Sequence, residues 1–242
     1  METQWTVTFQ VYRQKGQNLP HYDEFKLDVS PDEYVLDGVE RIWAFHDRSL
    51  IFSHACHHST CGACGMRVNG LEKLTCITQI KSVTTNGGTI RVEPLRNFPV
   101  ISDLAVDMGT LYTRMDQVRH RSVLPVEQEV LPGQKYREES AEGDYYRLSD
   151  CIECGLCISA CPIALTTPSY LGPAVLAGAQ QSGKTLEKSV LKLVDSADGV
   201  WRCHSAYECT AVCPSHVEPA WRIMDLRKRV VGSKFKGLFG SK

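Results

Sequence analysis

The sequence predicts an α+β protein built as two units, and three observations carry that prediction. Apolar and polar residues alternate at the start of the chain, Trp5, Val7, Phe9 and Val11 against Thr6, Thr8 and Gln10, which is the period of a half-buried strand. Beyond about residue 100 the apolar residues step by three and four instead, and no strand pattern appears after Tyr145. The 11 cysteines fall in three groups, two of them near copies about 52 residues apart.

In chain order, the first strand is expected to pair with Glu24 to Val29. Ser30 with Glu33 three residues on is a capping-box pattern, and Val35, Val39, Ile42 and Trp43 follow at helical spacing. A helix should therefore cross the sheet as far as about His46. Asn69-Gly70 marks a hairpin turn, and Thr89 to Val92 a further strand. Leu104, Met108, Leu111, Met115 and Val118 share one helical face, and the charged stretch from Glu127 to Asp144 reads as a connector. In the second unit, Leu186, Val190, Leu193, Val194 and Ala197 share a face, and Trp221, Leu226 and Val230 mark a last helix.

Charge and cysteine usage narrow the function. The chain has a net charge of −1, but Arg222 to Lys242 holds seven basic residues against one acidic one, which leaves about −7 for the rest. No nucleic-acid partner is expected from that balance. The uncharged run from Cys154 to Gly183 is broken by Pro162, Pro168, Pro173 and several glycines, so it is not a membrane span. The opening Met-Glu-Thr-Gln-Trp has neither the basic nor the apolar region of a signal peptide. With an odd cysteine count as well, metal ligation rather than disulfide formation is the expected use.

Cys56, Cys61, Cys64 and Cys76 are spaced C-x4-C-x2-C-x11-C, the plant-type 2Fe-2S pattern. Soft thiolates stabilise ferric charge, and Gly62 and Gly65 let the loop wrap with its N–H groups toward sulfur. A structural zinc site is the alternative, though it usually shows two separated C-x2-4-C pairs. His54, His57 and His58 flank the loop; only Cys56-His57 is adjacent, which disfavours a Rieske site and leaves them as solvated loop residues.

Cys151, Cys154, Cys157 and Cys161-Pro162 form the bacterial ferredoxin run, in which the fourth cysteine reaches across to the other cluster. The later copy, "CHSAYECTAVCP" from Cys203, keeps every position but one, where Ala206 stands. Crossing assigns Cys213 to Cys151, Cys154 and Cys157 as a 4Fe-4S site, and Cys161 to Cys203 and Cys209. Three thiolates facing an alanine suit a cubane lacking one iron, a 3Fe-4S cluster; the alternative is a labile fourth iron held by water or another residue.

With these groups in order, and with "CGACGMRVNGLEKLTC" at 61 to 76, "FPVISDLAVDM" at 98 to 108 and "GVWRCHSAYECTAVCPSHVEP" at 199 to 219, the chain resembles the iron-sulfur subunit of succinate dehydrogenase and quinol:fumarate reductase. The resemblance implies a β-grasp plant-type 2Fe-2S ferredoxin domain (1–105), a connecting helix and linker (106–144), and an all-α bacterial-ferredoxin-like domain holding two cubane-type clusters (145–242). It also implies an FAD-containing flavoprotein partner and a membrane anchor that holds quinone and, in many relatives, haem b, on the cytoplasmic face of a prokaryotic cell membrane.

Electrons would pass between the flavin and the quinone through 2Fe-2S, 4Fe-4S and 3Fe-4S clusters in turn. At the quinone end the expected residues are His204, beside Cys203; Pro162, beside Cys161; and Arg227, where relatives carry a basic residue on the final helix. Histidine suits proton exchange near neutrality, while a histidine that only hydrogen-bonds a sulfur or the backbone is the alternative. Arg227, Lys228, Arg229, Lys234 and Lys236 would face anionic lipid or the anchor, or form a solvated tail. Ile163, Ala164 and Leu165 after Pro162, where ubiquinone-reducing relatives often carry tryptophan, lean toward fumarate reductase; His204 leans toward succinate dehydrogenase. Direction stays open. His57 stands where relatives commonly carry arginine. A soluble multi-cluster electron carrier is the competing class, disfavoured by two domains and a basic tail.

Overall fold

The computed structural model describes residues 4–118, 151–182 and 187–239. The charged connector, the start of the second unit at Tyr145, and Leu186 lie outside the described residues.

The apolar alternation folds as expected. β1 (Trp5–Arg13) and β2 (His21–Val29) pair antiparallel, with Trp5 opposite Val29 and Arg13 opposite His21, so β2 begins three residues before Glu24. β3 (Gly65–Val68) and β4 (Leu71–Leu74) form the predicted hairpin. Its turn residues Asn69 and Gly70 have φ of +50° and +85°, the left-handed pair that a two-residue turn of this hand requires. β5 (Thr89–Glu93) lies parallel to β1 and antiparallel to β3, giving the order β2-β1-β5-β3-β4. α1 (Val35–Phe45) covers the sheet, and its Val35, Val39 and Ile42 pack with Val7, Phe9 and Val11, all fully buried. Each such side chain contributes about 1.5–3 kcal/mol.

Two expectations are corrected. The Ser30–Glu33 capping box does not form, because Ser30 to Tyr34 is spent on a turn in which Glu33 N–H donates to the Ser30 carbonyl at 3.1 Å. The helix starts later, where the Asp37 carboxylate accepts the Tyr34 N–H at 2.9 Å, and Glu33 pairs with Arg41 at 2.9 Å. The stripe from Leu104 to Val118 is also not one helix. β6 (Val100–Ser102) and β7 (Ala105–Val106) form a small hairpin first, Leu104 sinks into the core of the sheet, and α2 is only Gly109–Gln117. The cause is Asp103, whose wholly buried carboxylate accepts from Arg13 Nε (3.2 Å) and from the N–H groups of Gln14 (3.1 Å) and Ile51 (3.0 Å). Helical continuation would leave that charge unpaired.

The second unit comprises α3 (Leu156–Ser159), α4 (Pro162–Thr166), α5 (Pro173–Gly178), α6 (Lys188–Val194), α7 (Glu208–Ala211) and α8 (Pro219–Phe239), with no strand among the described residues. Leu111, Met115 and Val118 share its core with Val175, Leu176, Val190, Val194, Ile223 and Leu226. α2 thus follows the sheet in sequence but packs with the helices.

Candidate iron-sulfur sites

Cys56, Cys61 and Cys64 lie on the loop leading into β3, and Cys76 on a 3-10 turn after β4. The loop wraps sulfur with backbone N–H groups: Cys56 Sγ accepts from His58 (3.5 Å), Thr60 (3.3 Å) and Cys61 (3.3 Å), Cys61 Sγ from Ala63 (3.5 Å), and Cys76 Sγ from Ser59 (3.4 Å). Left-handed φ at His57, Ser59 and Gly62 makes this wrapping possible. The N–H groups, that of His58 foremost, pull the Cys56 thiol down to about 6, whereas burial pushes Cys76 up to about 11. A sulfur set ringed by dipoles that favour thiolate fits a ferric-sulfide centre.

The two cysteine runs of the second unit interlock. One cavity is lined by Cys151, Cys154, Cys157 and Cys213, with Ala174, Ala177 and Val217. A second is lined by Cys161, Cys203 and Cys209, with Ala206 among the residues around it. Burial, acting first, raises Cys151 to about 11 and Cys154 and Cys209 to about 12, so as free thiols these groups would keep their protons. Ser205 N–H donates to Cys203 Sγ, and Val217 N–H to Cys213 Sγ, both at 3.4 Å. Tyr170 also lines the second cavity, and its buried hydroxyl stands beside the thiols of Cys203 and Cys161. A sulfur-rich cavity with a buried hydroxyl donor beside its cysteines fits a group with exposed sulfide acceptors. The uncharged, aperiodic stretch around Tyr170 offered no sequence signal for it.

Two of the three expected quinone residues line the three-cysteine cavity, and Arg227 stands behind it. His204 and Pro162 both line it and are exposed, Pro162 as the first residue of α4. Arg227 on α8 donates from Nη2 to the Cys203 carbonyl and from Nε to the Val200 carbonyl at 2.8 Å. Its guanidinium therefore braces the loop that carries Cys203 and His204.

The first site abuts the second unit directly. A Cβ on Gly62, whose φ is +72°, would stand 2.8 Å from Cys154 Cβ and 2.9 Å from the Ile152 carbonyl, so the two cysteine loops approach as closely as the backbone permits. Leu36, Cys64, Leu74, Cys76 and Leu95 share an apolar cluster with Leu156, packed against Ile152, Cys154 and Val212. Beside it Ser159 Oγ donates to Glu72 Oε1 (2.8 Å) and accepts the Arg96 N–H (2.9 Å), and Asn97 Nδ2 donates to the carbonyl of Ile158 at 2.7 Å. These seam residues carry no motif and were not foreseen.

Residues 8–113 match the family model described as a 2Fe-2S iron-sulfur cluster binding domain, and residues 147–217 the model of a 4Fe-4S dicluster domain. Fold and site thus define an α+β iron-sulfur protein, a 2Fe-2S domain followed by a 4Fe-4S domain. The fumarate reductase iron-sulfur subunit of Mycobacterium tuberculosis is 36% identical over 220 residues, 88% of this chain and 87% of the relative. That of Haemophilus influenzae is 32% identical over 83% of each chain. The mitochondrial succinate dehydrogenase [ubiquinone] iron-sulfur subunit 1 of rice, Oryza sativa, is 31% identical over 92% of this chain and 82% of the relative. The chain belongs to the family of iron-sulfur subunits of fumarate reductase and succinate dehydrogenase, and is an oxidoreductase subunit serving electron transfer. A chain of the solved Mycobacterium smegmatis Sdh1 complex in the apo form shares the fold, with a TM-score of 0.79 at 23% identity over 96% of this chain and 98% of that chain.

Proposed function

We propose that the chain relays electrons between the FAD of a dicarboxylate-oxidising flavoprotein subunit and a membrane quinone. Its β-grasp domain holds a 2Fe-2S cluster on Cys56, Cys61, Cys64 and Cys76. Its all-α domain holds a 4Fe-4S cluster on Cys151, Cys154, Cys157 and Cys213, and a 3Fe-4S cluster on Cys161, Cys203 and Cys209. The observation that carries this reading is the contiguity of the three cysteine sets: Gly62 against Cys154, then two cavities fed by the same pair of runs. When bound, the clusters supply the one-electron steps that join a two-electron flavin to a quinone needing two electrons and two protons.

The chain's own residues set the conditions at each end. Backbone N–H groups orient and polarise the thiolates, and apolar packing around Cys64 and Cys76 excludes water. At the far end Arg227 fixes the Cys203 carbonyl, and Pro162 and His204 form the exposed rim where a quinone would dock against an anchor subunit. There a ring nitrogen of His204 gives the proton to the quinone oxygen. No helix among the described residues is long and apolar enough to cross a membrane. The reading places the chain peripherally, on the cytoplasmic face of a prokaryotic membrane, held by a flavoprotein subunit and a membrane anchor that carries quinone.

Replacing His204 by Gln in the assembled complex is expected to depress succinate-to-quinone turnover about a hundredfold or more, the usual contribution of a general acid. Succinate oxidation by a dye that accepts electrons upstream should be spared. Equal loss of both activities would remove the quinone role. The reverse direction, fumarate reduction by quinol, is favoured by Ile163 to Leu165 after Pro162, and comparing quinol-fumarate with succinate-quinone turnover in the same complex decides between them.

A further inference from the structure

Glu40, His54 and His57 bring three metal-ligating atoms to one point beside the 2Fe-2S loop, outside the eleven cysteines. Glu40 Oε1 lies 3.0 Å from His54 Nδ1 and 3.1 Å from His57 Nε2, and the two ring nitrogens are 3.3 Å apart. A tetrahedral ion bound at about 2.0–2.1 Å by nitrogen and oxygen holds its ligand atoms roughly 3.3 Å apart, so this triangle is close to the spacing such an ion needs.

Hydrogen bonding alone does not explain the arrangement. Glu40 Oε1 is buried and makes no hydrogen bond among the described residues, although two ring nitrogens stand within salt-bridge distance. The two ring nitrogens can hydrogen-bond each other at 3.3 Å, one donating and the other accepting, but the nitrogen that accepts then has no proton to give Glu40. A shared cation resolves both problems, because it takes a lone pair from each of the three atoms. The ligands are also held in place. Glu40 stands on α1, the His54 ring stacks on Phe52 with centroids 5.1 Å apart, and His57 takes a left-handed φ of 60°. His58, the third histidine of the loop, is exposed and stands outside the group.

We propose that Glu40, His54 and His57 bind one divalent first-row transition-metal ion, with the remaining coordination positions open to water. Two imidazoles and a carboxylate are a donor set for Zn2+ or Fe2+. Because His57 directly follows Cys56, the ion would add positive charge next to the 2Fe-2S site and favour its reduced form.

The test uses the full chain carrying its iron-sulfur clusters, with Zn2+ as the probe. About one Zn2+ per chain is expected to survive gel filtration, with iron content unchanged and the 2Fe-2S reduction potential shifted upward. In Glu40→Gln, which changes a residue of α1 and leaves the cysteine loop intact, affinity should fall by more than the roughly 10- to 100-fold that loss of an outer-shell partner costs, and the potential should no longer respond to zinc. His54→Ala should behave alike; if it loses its 2Fe-2S signal, Glu40→Gln decides alone. Absence of stoichiometric zinc in the wild type, or equal zinc in Glu40→Gln, would overturn the proposal and leave the triad as a surface ion pair.

Discussion

At the scale of single residues, the three-cysteine cavity depends on what Ala206 lacks. It stands among the lining residues with Cys161, Cys203 and Cys209, and a methyl group ligates nothing. Ala206→Cys is expected to supply the fourth thiolate and convert the cluster proposed there from 3Fe-4S toward 4Fe-4S, with a lower potential. Low-temperature electron paramagnetic resonance of the oxidised protein checks it, and an undiminished 3Fe signal would mean that geometry rather than ligand count sets the cluster type. The cysteine groups were legible in the sequence because ligand spacing is a local property of the chain. Tyr170 was not, since its meaning comes from burial beside Cys161 and Cys203 rather than from neighbours in sequence. Arg227 was legible as a charge but not as a brace, because its carbonyl partners on Val200 and Cys203 lie more than twenty residues away.

At the scale of elements, the hairpin at Asn69-Gly70 and the strands around it follow from period and turn chemistry. The split of Leu104 from α2 does not, because one buried carboxylate outweighs a helical stripe of five residues. The seam between α3 and the strands was equally hidden, because its side chains follow no period. Glu72 is 4% exposed in its side chain and faces Arg96 (3.2 Å), Arg67 (3.6 Å) and Ser159. Glu72→Ala is expected to destabilise by about 2–3 kcal/mol, less than the roughly 3–5 kcal/mol of a fully buried pair because Arg96 is 43% exposed. Denaturant midpoints of the two cluster-loaded proteins measure it. Gly62→Ala should cost about 1–3 kcal/mol through strain at its positive φ and against Cys154. Its signature is a perturbed 2Fe-2S spectrum together with slower electron transfer out of that site; a spectrum and rate like wild type would show that the loops part without consequence.

At the scale of the whole molecule, the basic end of the chain is less free than composition suggested. Lys234 pairs with Asp195 at 2.8 Å and lies over the Trp201 ring, Arg229 pairs with Asp225 at 2.8 Å, and Arg227 is spent on carbonyls. Removing residues 233–242 is therefore expected to weaken retention on anionic membranes, most visibly at low salt, without abolishing it. Complete release would mean that the tail, not the rim around Pro162 and His204, anchors the subunit. Two units were visible in the sequence from the change of period. Their intimate contact was not, because it rests on glycine clearance and side chains without a pattern.

The exchange of cysteines between the two runs has a thermodynamic side. Clusters seated in those cavities would act as cross-links, each tying residues 151–161 to residues 203–213 across about 50 residues of chain. By loop-closure reckoning, one link of that length removes about 4 kcal/mol of freedom from the unfolded ensemble, and a second nested across the same interval removes less. α3 and α7 are four residues each, far too short to persist as isolated helices. In this view iron is a folding reagent for the helical unit: metal starvation during synthesis would yield a chain that cannot close, rather than a finished subunit waiting for its clusters.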